Sequence, residues 1–179
     1  MQLNGEDAEA KIQETVEQLR QRIAAEPGVV SHYLQLCSVL SRAGRWSEVI
    51  EVCSQCLGDG RLICSIYTLR GLAHGKLELY PQATEDFSAA LELDPNDVNA
   101  LLNRSILWTK LKEWQSVIDD SSRLIQVRPS FHQAYINRGI AQHKLNNNEL
   151  ALRDFDFVIQ DASLDSMKVT HLLPRRSNS

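Results

Sequence analysis

The sequence lacks any long hydrophobic run. Its 179 residues are 43% hydrophobic, but no stretch approaches the roughly 20 consecutive apolar residues that span a bilayer, so we expect no membrane partner. The N-terminal residues MQLNGED are polar and acidic, so we expect neither a signal peptide nor a transit peptide. Basic charge is also scarce: the net charge is −4, whereas non-specific nucleic-acid binding needs a basic surface. We therefore expect a cytoplasmic protein, with the nucleus left open, that binds no nucleic acid.

Signatures of catalysis are scarce as well. The five histidines form no pair on a common helical face with an acidic partner, as a helical metal site would need. Gly58-Asp59-Gly60 is an isolated turn rather than a phosphate-binding loop, and the sequence has no nucleophile elbow and no kinase-like motif. We therefore expect no enzymatic activity, no catalytic residue and no cofactor.

The cysteines are few and lie close together. All four, Cys37, Cys53, Cys56 and Cys64, fall in the first half of the chain. The C-x-x-C pair formed by Cys53 and Cys56 is compatible with a zinc site. The alternative is buried free thiols in a reducing compartment, where cysteine packs as a small apolar residue. Because three of these cysteines fall at core-facing positions in the middle of helical patterns, whereas structural zinc sites usually lie on loops, we predict buried thiols and no bound metal.

What the sequence does contain is an internal repeat. Shifted against itself by 34 residues, the chain aligns without a gap over the windows 30–63, 64–97, 98–131 and 132–165. The seventeenth position of each window is Trp46, Tyr80, Trp114 and Asn148. The twentieth is Val49, Ala83, Val117 and Ala151. A period of this length is typical of stacked supersecondary units.

Each window contains two helical patterns separated by a short break. In the second window, Tyr67, Gly71 and His74 recur at i, i+4 and i+7, which is the spacing of one helical face. Asp97 and Asn148 precede further helical patterns and are candidates for helix N-caps. The sequence therefore predicts a pair of helices in every window.

This pattern resembles the tetratricopeptide repeat family over residues 30 to about 163. The matching residues of the fourth window are Tyr135, Arg138, Gly139, Gln142, Ala151 and Phe155. Those of the second window are Tyr67, Arg70, Gly71, His74, Ala83, Phe87 and Pro95. Two windows depart from the family pattern, because Ser121 and Cys53 replace the aromatic residue and Cys37 replaces the small one. These departures weaken the match to the family's packing pattern locally but leave the phase of the repeat intact.

The resemblance implies an all-α fold: a right-handed α-solenoid of four helical hairpins with an N-terminal capping helix. It divides the chain into a cap (1–29), a repeat domain (30–163) and a short C-terminal tail (164–179). Within the cap, residues 6–25 predict one helix with Ile12, Val16, Leu19 and Ile23 on its apolar face. Because one hairpin cannot bury its own apolar face, stability should come from stacking. The tail either folds over the last hairpin or leaves that end to a partner.

The resemblance also implies a binding surface, since the first helices of such hairpins line a concave face that holds a peptide or a partner helix. The residues at the corresponding positions, which we predict to bind the partner, are Gln35, Arg42, Leu72, Lys76, Asn99, Leu102, Asn103, Ile106, Lys110, Gln133, Ile136, Asn137, Ile140 and Lys144. The carboxamides can bond a peptide backbone or bond within the stack. The aliphatic residues mark an interaction strip unless the tail covers them. The four cations form a basic row, although the helix dipole also explains them. Three further recurring cations, Arg70, Arg104 and Arg138, indicate a scaffold role.

We therefore predict a non-enzymatic scaffold or adaptor whose protein partner is an extended peptide or a helix of acidic and hydrophobic character. One alternative is a structural subunit of a complex, or a homo-oligomer, that docks through an uncapped C-terminal end. Another is a co-chaperone. The carboxylate clamp of that class needs lysine, asparagine and arginine where this chain has Thr68, Leu72, Asn103, Gln133 and Asn137, and only Asn103 matches.

Overall fold

The structure, a computed structural model, describes residues 5–58, 60 and 63–172, with side chains described for residues 7–58, 60 and 63–161. Over these residues the chain forms nine α-helices and no strand. The helices are α1 (Gly5–Ala25), α2 (Val30–Arg42), α3 (Trp46–Leu57), α4 (Cys64–Lys76), α5 (Tyr80–Leu93), α6 (Val98–Leu111), α7 (Trp114–Val127), α8 (His132–Lys144) and α9 (Asn148–Leu172).

The helix boundaries repeat with the period of the sequence. The first helices of the hairpins begin at Val30, Cys64, Val98 and His132, and the second helices at Trp46, Tyr80, Trp114 and Asn148. Both series advance by 34 residues, so the hairpins are α2/α3, α4/α5, α6/α7 and α8/α9. The chain also divides into two compact units, unit 1 (residues 1–103) and unit 2 (residues 104–179).

The turn inside each hairpin has the same backbone conformation. Gly44, Glu78, Lys112 and Asn146 have φ angles of 71°, 60°, 61° and 63°, in the left-handed region that commonly ends a helix. The residue after each of them donates its N–H to the carbonyl five residues earlier, at 2.9 Å in all four turns. These bonds satisfy carbonyl groups at the end of the first helix and fix where the second helix begins.

In unit 1, the core lies between α1, α2, α3 and α4. The predicted apolar face of α1 is the buried one: Val16, Leu19 and Ile23 are almost completely covered and Ile12 packs at the edge. They join a cluster that includes Tyr33 and other residues of the first hairpin and of α4. Because α1 contributes apolar residues on one face and polar residues on the other, it covers the first hairpin as a cap would.

A close contact between the two helices recurs in alternate hairpins. A Cβ atom built on Gly71 would lie 2.9 Å from Cε1 of Phe87, and one built on Gly139 would lie 2.6 Å from Cε1 of Phe155. Both distances are too short for a real side chain. Glycine is therefore required here because an aromatic ring of the second helix lies against the backbone of the first.

The other two hairpins fill the same positions with pairs of small residues. Sγ of Cys37 lies 3.5 Å from Sγ of Cys53, and Oγ of Ser105 lies 3.0 Å from Oγ of Ser121. All four residues are buried. These two hairpins therefore keep a close contact at the positions where the sequence departs from the family pattern, because a residue larger than glycine on one helix compensates for the missing aromatic ring on the other.

An arginine–aspartate ion pair also recurs between the helices of a hairpin. Nη2 of Arg70, Arg104 and Arg138 lies 2.7, 2.7 and 2.6 Å from a carboxylate oxygen of Asp86, Asp120 and Asp154, respectively. The three carboxylates are buried, and hydrogen bonding to Asp86 and Asp154 raises the pKa of Arg70 and Arg138. The first hairpin has buried Leu36 and Val52 at the corresponding positions. The recurring arginines therefore belong to the scaffold.

The ends of the helices differ from the sequence analysis in two places. Asp97 caps α6 as predicted, because its Oδ1 accepts the N–H of Ala100 at 2.5 Å. Asn148 is instead the first residue of α9, and its Oδ1 lies 2.8 Å from Nδ1 of His143. α9 continues to Leu172, so the first part of the predicted tail is helical, while residues 173–179 lie outside the described residues.

Candidate partner-binding surface

All fourteen residues predicted to bind a partner keep access to solvent. Nine are exposed, and five (Leu72, Leu102, Asn103, Ile136 and Asn137) are half-buried. Unit 1 contains Gln35, Arg42, Leu72, Lys76, Asn99, Leu102 and Asn103. Unit 2 contains Ile106, Lys110, Gln133, Ile136, Asn137, Ile140 and Lys144. Repeat position thus goes with solvent access in both units.

In unit 2, α6 and α8 touch through the predicted carboxamide. Nδ2 of Asn137 donates to Oγ of Ser105 at 3.4 Å, and Oδ1 of Asn137 accepts from Nε2 of Gln133 at 2.8 Å. A carboxamide has two N–H groups and an oxygen with two lone pairs. Asn137 therefore takes part in bonds within the chain and retains the capacity for one further donor and one further acceptor contact.

An aliphatic and a basic residue follow each other along both first helices of unit 2. Ile106 and Ile140 are 41% and 39% exposed, and Lys110 and Lys144 follow each of them by four residues. Residues four apart lie on the same face of a helix. α6 and α8 thus each present an exposed isoleucine with a cation one turn farther along.

In unit 1, several of the predicted residues already have intramolecular contacts. Nδ2 of Asn103 donates to the backbone oxygen of Asn99 at 2.9 Å. Nζ of Lys76 lies 5.9 Å from the ring centroid of Trp46, close enough for a cation–π contact.

Gln35 lines a cavity that the sequence analysis did not predict. The cavity has a volume of about 420 Å³ and lies between α1 and α2, where its lining residues are Thr15, Gln18, Leu19, Arg22, Gln35, Ser38 and Val39. The polar spacing of Thr15, Gln18 and Arg22 along α1 was visible in the sequence. That these residues meet the face of α2 bearing Gln35 depends on the packing angle between the helices, which the sequence does not specify.

The cysteines do not converge on one point. Cys37, Cys53 and Cys56 are buried and Cys64 is half-buried. Hydrogen bonding to Cys37, together with burial, raises the pKa of Cys53, which disfavours the thiolate that binds metals. Among the described residues, one group has metal-like spacing: a ligand atom each from Cys64, Asp94 and Asp97, within 4.8 Å of one another. Asp97 is already the cap of α6, and no metal is proposed.

The helices, their 34-residue period and the repeated contacts define a class of protein. No protein-family model matches the sequence. Structures with this fold include MamA, with a TM-score of 0.79, 16% identity and coverage of 93% of this chain and 99% of MamA. A tetratricopeptide repeat protein from Parabacteroides merdae has a TM-score of 0.73, 19% identity and coverage of 87% and 62%, respectively. The chain therefore has the tetratricopeptide repeat fold, and both the predicted resemblance and the predicted all-α solenoid class are confirmed.

Two further comparisons extend the similarity to particular proteins. YrrB, a TPR protein with an unusual peptide-binding site, has a TM-score of 0.72 at 18% identity, covering 92% of this chain and 84% of YrrB. The DnaJ protein P58IPK homologs A and B of rice (Oryza sativa subsp. japonica) are each 31% identical over 117 residues, or 60% of this chain. This matched region is 24% of homolog A and 25% of homolog B, so the chain corresponds to about a quarter of the length of these relatives.

None of the described helices combines the length and the apolar character needed to cross a membrane.

Proposed function

We propose that this chain is a non-enzymatic scaffold that binds a segment of a partner protein on the surface formed by the first helices of its hairpins. The observation that carries the proposal is the pair Ile106 and Ile140, two isoleucines at equivalent repeat positions that stay about two-fifths exposed. Large aliphatic side chains kept in solvent at recurring positions indicate a surface that is covered on binding.

The polar neighbours of these isoleucines favour a particular kind of segment. Lys110 and Lys144 lie one helical turn beyond the isoleucines on the same faces, and Asn137 retains spare hydrogen-bonding capacity. An extended or helical segment with alternating apolar and acidic side chains would bury the isoleucines and meet the cations. The peptide-binding site named for YrrB is consistent with a surface of this class.

The proposal does not include the carboxylate clamp of co-chaperones. Thr68 is buried, and its hydroxyl donates to the backbone oxygen of Cys64 at 3.0 Å, at a position where the clamp needs an exposed lysine. Leu72, at the next clamp position, cannot donate a hydrogen bond from its side chain. Similarity to the rice DnaJ proteins covers only about a quarter of their length, so it supports the repeat architecture rather than a shared activity.

The proposal is tested with peptides selected on the folded protein. A phage-displayed library of random linear peptides is panned on the immobilised full chain, and selected peptides are synthesised and titrated by fluorescence anisotropy. We expect Ile106→Ser/Ile140→Ser to weaken binding about tenfold or more, since two buried aliphatic side chains contribute more than 1.4 kcal/mol together. Val127→Ser, at an exposed position near the end of α7, is the matched control. Peptides that bind both variants equally, or a failure to select any peptide, would contradict the proposal.

A further inference from the structure

Two of the second helices, α3 and α7, carry the same pattern of residues on the side that meets the next hairpin. On α3, Ser54 lies between Ile50 and Leu57 in the helical repeat, and on α7 Ser122 lies between Ile118 and Ile125. The aliphatic residues are half-buried, because α4 packs on α3 and α8 packs on α7. α3 and α7 thus each offer an aliphatic, a hydroxyl and another aliphatic residue to the helix that follows.

The following helix meets this arrangement with an arginine. Nη1 of Arg70 donates to Oγ of Ser54 at 3.2 Å, and Nη1 of Arg138 donates to Oγ of Ser122 at 3.2 Å. Small or aliphatic residues flank each arginine at i−4 and i+3, and all are buried: Ile66 and Ala73 on α4, Ala134 and Ala141 on α8. The α3–α4 contact of unit 1 and the α7–α8 contact of unit 2 are therefore alike. In both, an arginine that lies between two apolar residues donates to a serine hydroxyl that lies between two aliphatic residues.

α9 carries the same arrangement with one change. Its corresponding residues are Leu152, Asp156 and Ile159, here called the terminal triad. Leu152 is 60% exposed and Ile159 is 63% exposed, against half-burial of their counterparts on α3 and α7. Asp156 is exposed and has no hydrogen-bond or ion-pair partner among the side chains that the structure describes. A carboxylate stands where the other second helices have serine.

We propose that the terminal triad is a docking site for an amphipathic helix of a partner protein, one that carries an arginine between two apolar residues. Asp156, which occupies the position of Ser54 and Ser122, has the negative charge that complements the arginine of such a helix. Within a hairpin the arginine is already held by an aspartate of its own second helix, so a serine suffices as an additional acceptor. A single helix from a partner brings no such aspartate, and Asp156 supplies the carboxylate that a guanidinium binds through two parallel hydrogen bonds.

A second copy of this chain does not fit the site as well. In the part of the chain that the structure describes, Arg70, Arg104 and Arg138 are each bound to an aspartate, and the apolar residues that flank Arg70 and Arg138 are buried. The helices that bear Arg70 and Arg138 are therefore not available for docking in a folded copy. Two terminal triads facing each other about a two-fold axis would bring their Asp156 carboxylates together, which is unfavourable for like charges.

The test uses a defined helix as the probe. The probe is a fluorescein-labelled peptide with the sequence of residues 131–145, which contains α8, with Tyr135→Ala, Gly139→Ala and Gln142→Ala to raise its helix propensity. A matched probe also has Arg138→Gln. Because isolated short helices are only marginally stable, each probe is also made with a lactam bridge on the face opposite the arginine. Circular dichroism checks helicity, and binding to the full chain is measured by fluorescence anisotropy.

Three protein variants locate the contact. We expect Asp156→Ser to weaken binding of the arginine probe about tenfold, the size of one charge-assisted hydrogen-bonded pair, and to leave binding of the glutamine probe unchanged. Leu152→Ser/Ile159→Ser should abolish binding of both probes. Glu149→Gln, an exposed acid of α9 outside the triad, should have no effect. All these positions are exposed, so the melting temperatures of the variants should match that of the parent chain.

Other results overturn the proposal. Equal binding of the two helical probes, or equal binding by the parent chain and Asp156→Ser, shows that Asp156 does not receive an arginine. Failure of the parent chain to bind a bridged, helical probe shows that the triad is no docking site for this kind of helix. Sedimentation velocity that detects a dimer, lost in Leu152→Ser/Ile159→Ser, shows that the occupant is a second copy instead.

Discussion

At the scale of single residues, the structure makes opposite demands on two glycines of the same helix. Gly71 faces the ring of Phe87, whereas the nearest atom to a Cβ built on Gly75 is Cβ of Ala83, at 4.0 Å. The first glycine is required for close approach of two helices. Gly75 occupies a helical position where alanine also fits. Its greater backbone freedom in the unfolded chain therefore disfavours folding without any gain in packing.

This difference predicts substitutions of opposite sign. Gly71→Ala should lower the free energy of unfolding by about 1–3 kcal/mol, because it overpacks the contact with Phe87. Gly75→Ala should raise it by about 0.5–1 kcal/mol, because it stiffens the unfolded chain and favours the helix. Urea denaturation followed by circular dichroism measures both. A shift of the two midpoints in the same direction would show that the close approach at Gly71 does not constrain the protein.

The Arg138–Asp154 pair allows a second test, because the first hairpin contains its apolar replacement. Asp154→Val alone should destabilise unit 2 by about 3–5 kcal/mol, since it leaves a partly buried guanidinium without its carboxylate. Arg138→Leu/Asp154→Val reproduces Leu36 and Val52 of the first hairpin and should recover most of that loss. Denaturation of the two variants measures the recovery. A double variant as unstable as the single one would show that the apolar pair of the first hairpin cannot replace the ion pair in the fourth hairpin.

At the scale of helices and turns, three of the four hairpin turns place an unfavourable residue in the left-handed region. Gly44 suits its positive φ, but Glu78, Lys112 and Asn146 carry side chains there, and all residues other than glycine adopt this region at a cost. Asparagine is the best tolerated of the three. The turns therefore store a small, removable strain.

Replacing these residues should stabilise the protein. We expect Glu78→Gly and Lys112→Gly each to raise the free energy of unfolding by about 0.5–1 kcal/mol, the net of relieved strain and the greater freedom of glycine in the unfolded chain. Gly44→Ala is the matched control and should have the opposite sign. Thermal and urea unfolding of the three variants give the values, and destabilisation by both glycine substitutions would refute the assignment of strain.

The positions of the helices could be predicted from the sequence, because their period is a property of the chain itself. Helices start at Val30, Cys64, Val98 and His132, where the predicted windows begin. The side-chain contacts between helices could not be predicted, because they depend on which residues meet in the folded chain. Cys37 and Cys53 each depart from the family pattern, and only the structure shows that these two small residues contact each other. The partner of each recurring arginine, such as Asp86 for Arg70, likewise lies sixteen residues away on another helix.

The candidate surface was predictable to a smaller extent. Repeat position predicts solvent access, and all fourteen predicted residues have it, but it does not predict which side chains bond to one another. The bond from Gln133 to Asn137 depends on rotamers. The terminal triad was missed because the exposure of Leu152 and Ile159 follows from the absence of a covering helix in the described chain, whereas their counterparts on α7 have similar residue types. Binding by the fourteen residues remains a prediction.

At the scale of the whole molecule, the cysteines are all in unit 1 and can report its opening. Burial raises the pKa of Cys53 and of Cys64, the first together with hydrogen bonding to Cys37 and the second together with the charge of Asp97. A thiol must ionise and be reached by reagent to react. Cys37, Cys53 and Cys56, being fully covered, should react only when this unit unfolds.

Labelling with a thiol reagent at pH 8 tests this expectation. In native buffer we expect Cys64 to react slowly and the other three to stay unmodified, and in concentrated urea all four should react. Cys64→Ser should remove the native reaction, and mass spectrometry of digested protein identifies the sites. Rapid native labelling of Cys37 or Cys53 would show that α2 and α3 separate without global unfolding of unit 1.

The alternation of glycine–phenylalanine and small–small pairs has a consequence for how such a chain can be rearranged. Joining α4 to α7 in one hairpin would set Gly71 opposite Ser121 and leave a void, while joining α6 to α5 would drive Ser105 into the ring of Phe87. Exchange of whole hairpins keeps these pairs intact, whereas exchange of halves keeps them only between hairpins of the same kind, α2/α3 with α6/α7 or α4/α5 with α8/α9. Gene duplication and recombination with breakpoints between hairpins therefore preserve every pair. Breakpoints inside the turns at Gly44, Glu78, Lys112 or Asn146 create a mismatch whenever they join hairpins of different kinds.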